Sequence, residues 1–382
     1  MIAWDADGHV YESEQTFSDA YWDAALADRR PVVVEASPGR LSWMIDGRAF
    51  PVSSGPNQAL GGTPASKGGV PARTPASLEV NPIESSELRS AAARIAHIER
   101  ERIEVQVNYP TMLLTWPIAH DPQLGAAIAR AYNNWMADLS SQAPDRLKWV
   151  TVVDPTDPRA AAREIERTSE LGSSGVMLLG MVGEKHLDDP TMEPVWEAAS
   201  DLDLPVSVHV GFCCPPLGNL YTTSNDTMVV PFAFTVLMAF QRIVSTGLLD
   251  RYPRLRVAFL EAGCSWVDFM VERITERLEG PLGRRRGREY SSELLPAEYI
   301  ARGQLAFGFE VEEGQLPYFV DRYGPDCLLF ASDIPHVHRV LDAVNVLEER
   351  SDLNGEVKQK LLVDNTARFY GIETRADGVA TS

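Results

Sequence analysis

Cysteine is scarce in this chain. It has four in 382 residues, Cys213, Cys214, Cys264 and Cys327, with no C-x-x-C spacing. That excludes a disulfide-built scaffold and a thiolate zinc knuckle. The adjacent pair Cys213–Cys214 reads as two small buried thiols in a reduced compartment, with a reactive or ligating site as the alternative. Positive charge is also short: 35 Lys and Arg stand against 54 Asp and Glu, a net of −19. So acidic a chain repels phosphate backbones and anionic surfaces, which argues against a nucleic-acid partner. No apolar run is seen to approach the roughly 20 residues of a membrane span, so no membrane association is expected. The opening MIAWDADGHVYE lacks the basic and apolar regions of a secretory signal, and a cytoplasmic location is expected. No internal repeat is found.

What the chain does have is material for a large core, with 45% hydrophobic residues. Eight short apolar runs recur: IAWDAD (2–7), IEVQVNY (103–109), LKWVTVV (147–153), GVMLLG (175–180), PVSVHV (205–210), LRVAFLEAG (255–263), QLAFGFE (304–310) and CLLFASD (327–333). Most are continuously apolar, as strands covered on both faces are. Helical patterns lie between them at 85–101, 121–142, 157–172, 192–203 and 265–280. Asp121, Asp157 and Ser265 suit N-caps, and Gly172 and Gly280 suit stops. In 85–101 the apolar stripe is Leu88, Ala92, Ile95 and Ile98. Strand–helix alternation with eight strands predicts an α/β fold, a (β/α)₈ barrel, with a doubly wound open sheet as the alternative.

Residues 1–373 are expected to form this one barrel, with 14–84 as a lid or insertion after the first strand and 374–382 as a frayed tail. Within the insertion, 35–84 is rich in Gly, Pro and Ser and reads as irregular. A second loop, 280–296, gathers Arg284, Arg285, Arg286 and Arg288. It is either a solvated or subunit-contacting basic loop or a site for a substrate carboxylate.

In a barrel, chemistry sits at the C-terminal ends of the strands. Asp7 and His9 leave strand one, His209 ends strand five, Glu261 ends strand six and Asp333 ends strand eight. Taken singly, each is an ordinary strand-end turn or helix cap. Taken together, they converge on one mouth, and imidazoles with carboxylates there suit a divalent ion such as Zn²⁺ or Mn²⁺. Glu12 is a further candidate for the metal shell or a bridging water, against a surface role. Glu310, ending strand seven, faces the same mouth with weaker support. Trp116 and Phe212 either stack on an aromatic substrate or simply pack.

With these residues in place, the chain resembles the amidohydrolase-related proteins of the aminocarboxymuconate-semialdehyde decarboxylase type over about residues 1–12 and 85–372. The likeness is carried by Asp5-Ala6-Asp7-Gly8-His9, by residues 131–155 and 247–263, by LLFASDIPH (328–336) and by DNTARFYGI (364–372). It implies Asp7, His9, His209 and Asp333 as ligands of one divalent ion, Zn²⁺ first, with Mn²⁺ or Fe²⁺ as alternatives. It also implies His336 in the pocket wall, where it reaches substrate, while His338 is read as structural. Many members carry a histidine after strand six; here Glu261-Ala262-Gly263 stands instead. Glu261 is then an acid/base, an extra ligand, or the orienter of a ligand histidine. The implied reaction is non-oxidative decarboxylation of a small aromatic or unsaturated acid, with Asp333 or Glu261 protonating the carbon. Metal-dependent hydrolysis is the rival, and a non-catalytic binding barrel the third reading. By analogy the subunits form a homodimer or homotetramer.

Overall fold

A computed structural model describes residues 1–50, 63–72, 74–280 and 290–373. Arg284, Arg285, Arg286, Arg288 and the tail 374–382 lie outside the described residues. The eight predicted strands are all present. They are β1 (Ala3–Val10), β2 (Ile103–Pro110), β3 (two runs, Leu147–Trp149 and Thr151–Val152), β4 (Val176–Leu179), β5 (Val206–His209), β6 (Val257–Leu260), β7 (Leu305–Phe309) and β8 (Leu328–Phe330). All neighbours pair in parallel, from β1 on β2 through to β7 on β8. The ring is closed just beyond β8, where Asp333 N donates to Asp7 O at 3.1 Å and His9 N donates to Ile334 O at 2.6 Å. The fold is therefore the (β/α)₈ barrel and not the open sheet.

Helices return the chain between strands: α1 (Ala91–Arg100), α2 (Pro122–Ser141), α3 (Pro158–Ser169), α4 (Glu193–Asp201), α5 (Phe234–Ser245), α6 (Val267–Glu279), α7 (Leu316–Tyr323) and, after β8, α8 (Asn365–Tyr370). Asp121 and Asp157 cap α2 and α3 through their side chains, each ahead of a proline in the first turn. Ser265 caps nothing: α6 begins after Trp266, and the Ser265 hydroxyl donates to Glu313 at 2.7 Å.

Four other expectations are corrected. Strand one runs on to Val10, so Asp7 and His9 lie inside it, wholly buried, instead of leaving its end. The predicted helix 85–101 breaks at Leu88, which has φ 44°, and α1 buries Arg94 and His97 beside Ala91 and Ile98. Segment 35–84 is not irregular where it is described. An antiparallel meander (Val32–Ser37, Arg40–Ile45, Arg48–Phe50) joins the core through Val33, Leu41, Trp43 and Ile45, with Trp43 edge-on to Phe17 at 5.5 Å. Apolar alternation within a glycine-rich composition supplied that sheet. Finally, the 21-residue stretch Asn225–Ser245, with mean hydropathy 1.7, is long and apolar enough to cross a membrane. In the fold it includes α5, whose Val236, Ala239, Phe240 and Ile243 are buried. Phe240 meets Phe259 of β6 at 5.3 Å, so its apolarity covers the barrel wall.

Candidate metal centre

The inner end of the mouth is built by β1 and β5. Asp7, His9 and His209 are fully or almost fully buried, and their ligand-type atoms lie within 4.8 Å of one another. His9 Nδ1 donates to Pro110 O at 2.8 Å, and His209 Nδ1 donates to Val210 O at 2.9 Å. A carbonyl can only accept, so both Nδ1 atoms carry hydrogen and both Nε2 atoms face the gap. His9 Nε2 lies 3.3 Å from Asp7 Oδ1 and 3.5 Å from Asp333 Oδ1. His209 Nε2 lies 3.3 Å from Asp7 Oδ1 and 3.5 Å from Glu261 Oε2. Five of the predicted residues thus share one space.

Glu261 and Asp333 reach it from strained backbone, with φ of 59° and 54°. Side chains other than glycine seldom hold that region, and where they do a function often depends on it. Glu261 follows β6 directly. Its turn is held by Glu313, whose carboxylate accepts from Cys264 N at 3.0 Å, Ser265 N at 2.9 Å and Glu310 N at 2.9 Å. A Cβ on Gly263, with φ 64°, would come within 2.8 Å of that carboxylate, so glycine is required there.

Asp333 follows β8, and Asp5 fixes its approach. The Asp5 carboxylate accepts from Ser332 N at 2.9 Å, from the Ser332 hydroxyl and from Gln106 Nε2 at 2.8 Å. Gln106 can reach it only across a glycine, because a Cβ on Gly8 would sit 2.3 Å from the Gln106 amide nitrogen. Behind this layer the buried guanidinium of Arg94 donates to His9 O. Asp5 and Arg94 were not identified as site residues in the sequence. Their signal was an acidic residue inside an apolar run and an arginine on a helix face next to Ile98.

Electrostatics suit a cation. Burial opposes charge on His9, yet the hydrogen bond and charge of Asp7, with Asp333 and Glu261 behind, push its pKa up to about 9. Asp333 is held well below the usual carboxylate range: burial opposes this, but the charge of His336 and contacts with His336 and His338 prevail. Among the described residues the buried Glu261 Oε2 makes no hydrogen bond of good geometry, and His9 Nε2 and Glu261 Oε2 face only ligand-type atoms of Asp7, Asp333 and His209 at 3.3–3.5 Å, while Asp333 Oδ1 is ion-paired with His336 Nδ1. Protein interiors rarely leave such atoms orphaned without an ion or water to serve them. A divalent cation fits: the free imidazole nitrogens and carboxylate oxygens are the donors it takes.

A cavity of about 330 Å³ opens over this space, with Asp7, Glu261, Glu310, Asp333, His338 and Arg339 in its wall. The Glu310 pKa is pushed up to about 7 by desolvation and then by the charges of Asp333 and Glu261. His336 is buried beneath, stacked on His9 at 4.2 Å, with Nε2 3.0 Å from Thr111 Oγ1. It is not among the cavity-lining residues. Glu12 stays out of the centre: its Oε2 accepts from Met112 N at 2.8 Å and Thr111 N at 3.3 Å, so it is neither at the surface nor among the grouped ligand atoms. Trp116 and Phe212 pack. Trp116 N donates to Phe212 O at 2.8 Å, Phe212 meets Phe232 at 5.1 Å, and neither lines the cavity. All four cysteines are free and buried.

The family model described as Amidohydrolase matches residues 117–372. A 2-amino-3-carboxymuconate-6-semialdehyde decarboxylase of Dictyostelium discoideum is 25% identical over 290 residues, which is 73% of this chain and 76% of the relative. Among solved structures, an amidohydrolase from Mycobacterium avium subsp. paratuberculosis aligns with TM-score 0.75 at 20% identity, over 97% of this chain and 98% of that one. The 5-carboxyvanillate decarboxylase of Novosphingobium aromaticivorans, complexed with manganese and 4-hydroxy-3-methoxy-5-nitrobenzoic acid, aligns with TM-score 0.61 at 21% identity over 73% of this chain and 79% of that one. The structural likenesses speak for the barrel. The chain belongs to the amidohydrolase family.

Proposed function

We propose that the protein is a metal-dependent, non-oxidative decarboxylase of a small aromatic or unsaturated carboxylic acid. The observation that carries this is the buried cluster of ligand-type atoms of Asp7, His9 and His209, with Asp333 and Glu261 within 3.5 Å of its imidazoles, at the floor of an acid-lined cavity. The Dictyostelium relative, a decarboxylase by name, supports the reaction class. Asp7, His9, His209 and Asp333 hold one divalent ion. Glu261 approaches the metal-facing nitrogen of His209, not the outward one, so it serves as a further carboxylate of the shell and not as the orienter of that histidine. Three carboxylates beside two imidazoles form an oxygen-rich set that favours Mn²⁺ over the Zn²⁺ first expected. Manganese in the Novosphingobium decarboxylase supports this choice.

When bound, the ion supplies a Lewis acid for the phenolic or enolic oxygen and neighbouring carboxylate of the substrate. The chain's own residues do the rest. Asp333 or Glu261, at the ends of β8 and β6, would carry the proton for the substrate carbon. Glu310 is a third proton source in the cavity wall, its carboxyl pushed up to about 7 by desolvation and then by the charges of Asp333 and Glu261. Protonation of the carbon that bears the carboxylate then lets CO₂ leave with its bonding electrons returned to the ring. Homodimer or homotetramer assembly belongs to the same proposal, and light scattering checks it.

The test is CO₂ release from a panel of ortho-hydroxybenzoic acids, including 5-carboxyvanillate and 2,6-dihydroxybenzoate, by the Mn²⁺-loaded enzyme. Esters and lactones are run in parallel. Release of CO₂ that disappears in His209→Ala, together with bound metal, supports the proposal. Hydrolysis of the esters or lactones without CO₂ release replaces it with the hydrolase reading.

A further inference from the structure

Two consecutive residues at the end of β2 each hold a histidine. Pro110 O accepts from His9 Nδ1 at 2.8 Å, and Thr111 Oγ1 lies 3.0 Å from His336 Nε2. Glu12, just beyond β1, pins this corner. Its Oε2 accepts from Thr111 N at 3.3 Å and from Met112 N at 2.8 Å. Glu12, Thr111 and His336 are all buried. His336 stacks on His9 at 4.2 Å and sets its Nδ1 against Asp333 Oδ1, the same oxygen that lies 3.5 Å from His9 Nε2. A path of contacts thus runs from Glu12 through Thr111 and His336 to Asp333. His336 is not in the cavity wall, so it reaches the centre through Asp333 and not through substrate.

Donor and acceptor rules place the hydrogens along this path. A carboxylate oxygen only accepts, so the ring atom against Asp333, His336 Nδ1, carries hydrogen. In a neutral imidazole Nε2 is then a bare acceptor, and the Thr111 hydroxyl is the donor that reaches it. The opposite tautomer would set the Nδ1 lone pair against a carboxylate oxygen. A hydroxyl can donate or accept, but only as a donor does it select the ring form that Asp333 requires.

We propose that Thr111, held in place by Glu12, is a positioning residue for the metal centre. Its hydroxyl fixes His336 as the neutral Nδ1–H form, and that N–H holds Asp333 Oδ1 in its place beside His9. The proposal rests on the functional reading above for the role of Asp333 as a ligand. Partners of this kind, one step behind a ligand, orient it and sustain the affinity of the site. The competing arrangement is an imidazolium at His336, with the Thr111 hydroxyl merely accepting from Nε2.

Nitrogen NMR of the metal-free full chain at pH 7, labelled in its histidine rings, reads the tautomer directly. The His336 signals are assigned by their loss in His336→Asn. The expected pattern is a protonated Nδ1 and a bare Nε2. Thr111→Val keeps the shape without the hydroxyl and should lose that pattern, with Mn²⁺ affinity in equilibrium dialysis falling about 10–100-fold. Thr111→Ser should restore both. A hydrogen on Nε2 in the wild type overturns the proposal, and does so even where Thr111→Val fails to fold. So does a Thr111→Val with wild-type tautomer and Mn²⁺ affinity, or a loss of affinity that serine does not restore. Each of these leaves the decarboxylase reading standing. A wild-type chain that binds no Mn²⁺ removes that reading and, with it, the positioning role of Thr111.

Discussion

Asp5 and Ser332 are 327 positions apart in sequence, yet the Asp5 carboxylate takes both the backbone N–H and the hydroxyl of Ser332. The contact closes the barrel between β1 and β8 and sets Asp333 one residue further on. Asp5 is fully buried, and its pKa is raised by desolvation, which hydrogen bonds from Ser332, Gln106 and Asp7 only partly offset. In Asp5→Ala, buried donors lose their acceptor, at a cost of about 1–3 kcal/mol each. Asp5→Ala should therefore unfold at lower temperature and bind Mn²⁺ more weakly, whereas Ser332→Ala should lose less because the backbone donor persists. Calorimetry on metal-free and loaded protein checks both. Equal metal affinity in wild type and Asp5→Ala would show that the latch does not position Asp333.

The elevated pKa of His9, about 9, has a sign that can be tested. Without metal the imidazole is protonated at neutral pH, and an arriving cation must expel that proton. Apparent metal affinity should then rise about tenfold per pH unit from pH 7 toward 9. Calorimetric titration in buffers of different ionisation enthalpy should show protons released on binding. Metal-free stability should run the other way. The ion pairs of His9 contribute fully below its ordinary pKa near 6.5 and are lost as pH rises through about 9. Metal uptake with no proton release at pH 7 would show that His9 is already neutral in the metal-free protein.

Much of this centre was legible because polar residues ending apolar runs are conspicuous. His209 in VSVHVG and Asp333 in LLFASD are each ordinary strand-end residues taken singly, and it is the closure of the barrel that brings those ends to one mouth. The supporting residues were not legible, for a physical reason. Arg94 lies on an amphipathic helix where charge reads as a solvated face, yet in the fold it is buried and donates to the His9 carbonyl. Glu313 sits in a loop, and its partners Cys264 and Ser265 are fixed by the stacking of β6 beside β7. The meander after β1 was hidden by composition, since glycine and proline nearby masked the alternation Val33, Leu41, Trp43, Ile45 that buries it.

Glu310 as proton source predicts a distinctive pH profile. Its carboxyl is pushed up to about 7, so the protonated donor declines as pH rises through neutrality. In the wild type kcat should fall above about pH 7. Glu310→Gln should lower kcat by roughly 10²–10⁴-fold, the usual value of a positioned acid. Substrate KM and bound Mn²⁺ should change little, and the alkaline limb should vanish. Loss of metal in the variant would instead make Glu310 a ligand.

Glu313 tests whether the strained turn itself matters. Its two oxygens accept from Cys264 N, Ser265 N, the Ser265 hydroxyl and Glu310 N, so every partner donates. Glu313→Gln keeps size but turns an N–H₂ toward those donors, releasing the turn after Glu261 and the backbone of Glu310 together. A global packing defect would lower stability alone. A positioning role predicts more: kcat reduced at least about tenfold at a temperature where circular dichroism shows the variant folded, and weaker retention of Mn²⁺ through the loosened Glu261. Circular dichroism at the assay temperature and metal analysis after gel filtration separate the two. A folded Glu313→Gln with wild-type kcat and full metal content would mean that the left-handed backbone at Glu261 is held by β6 and β7 without help from this carboxylate.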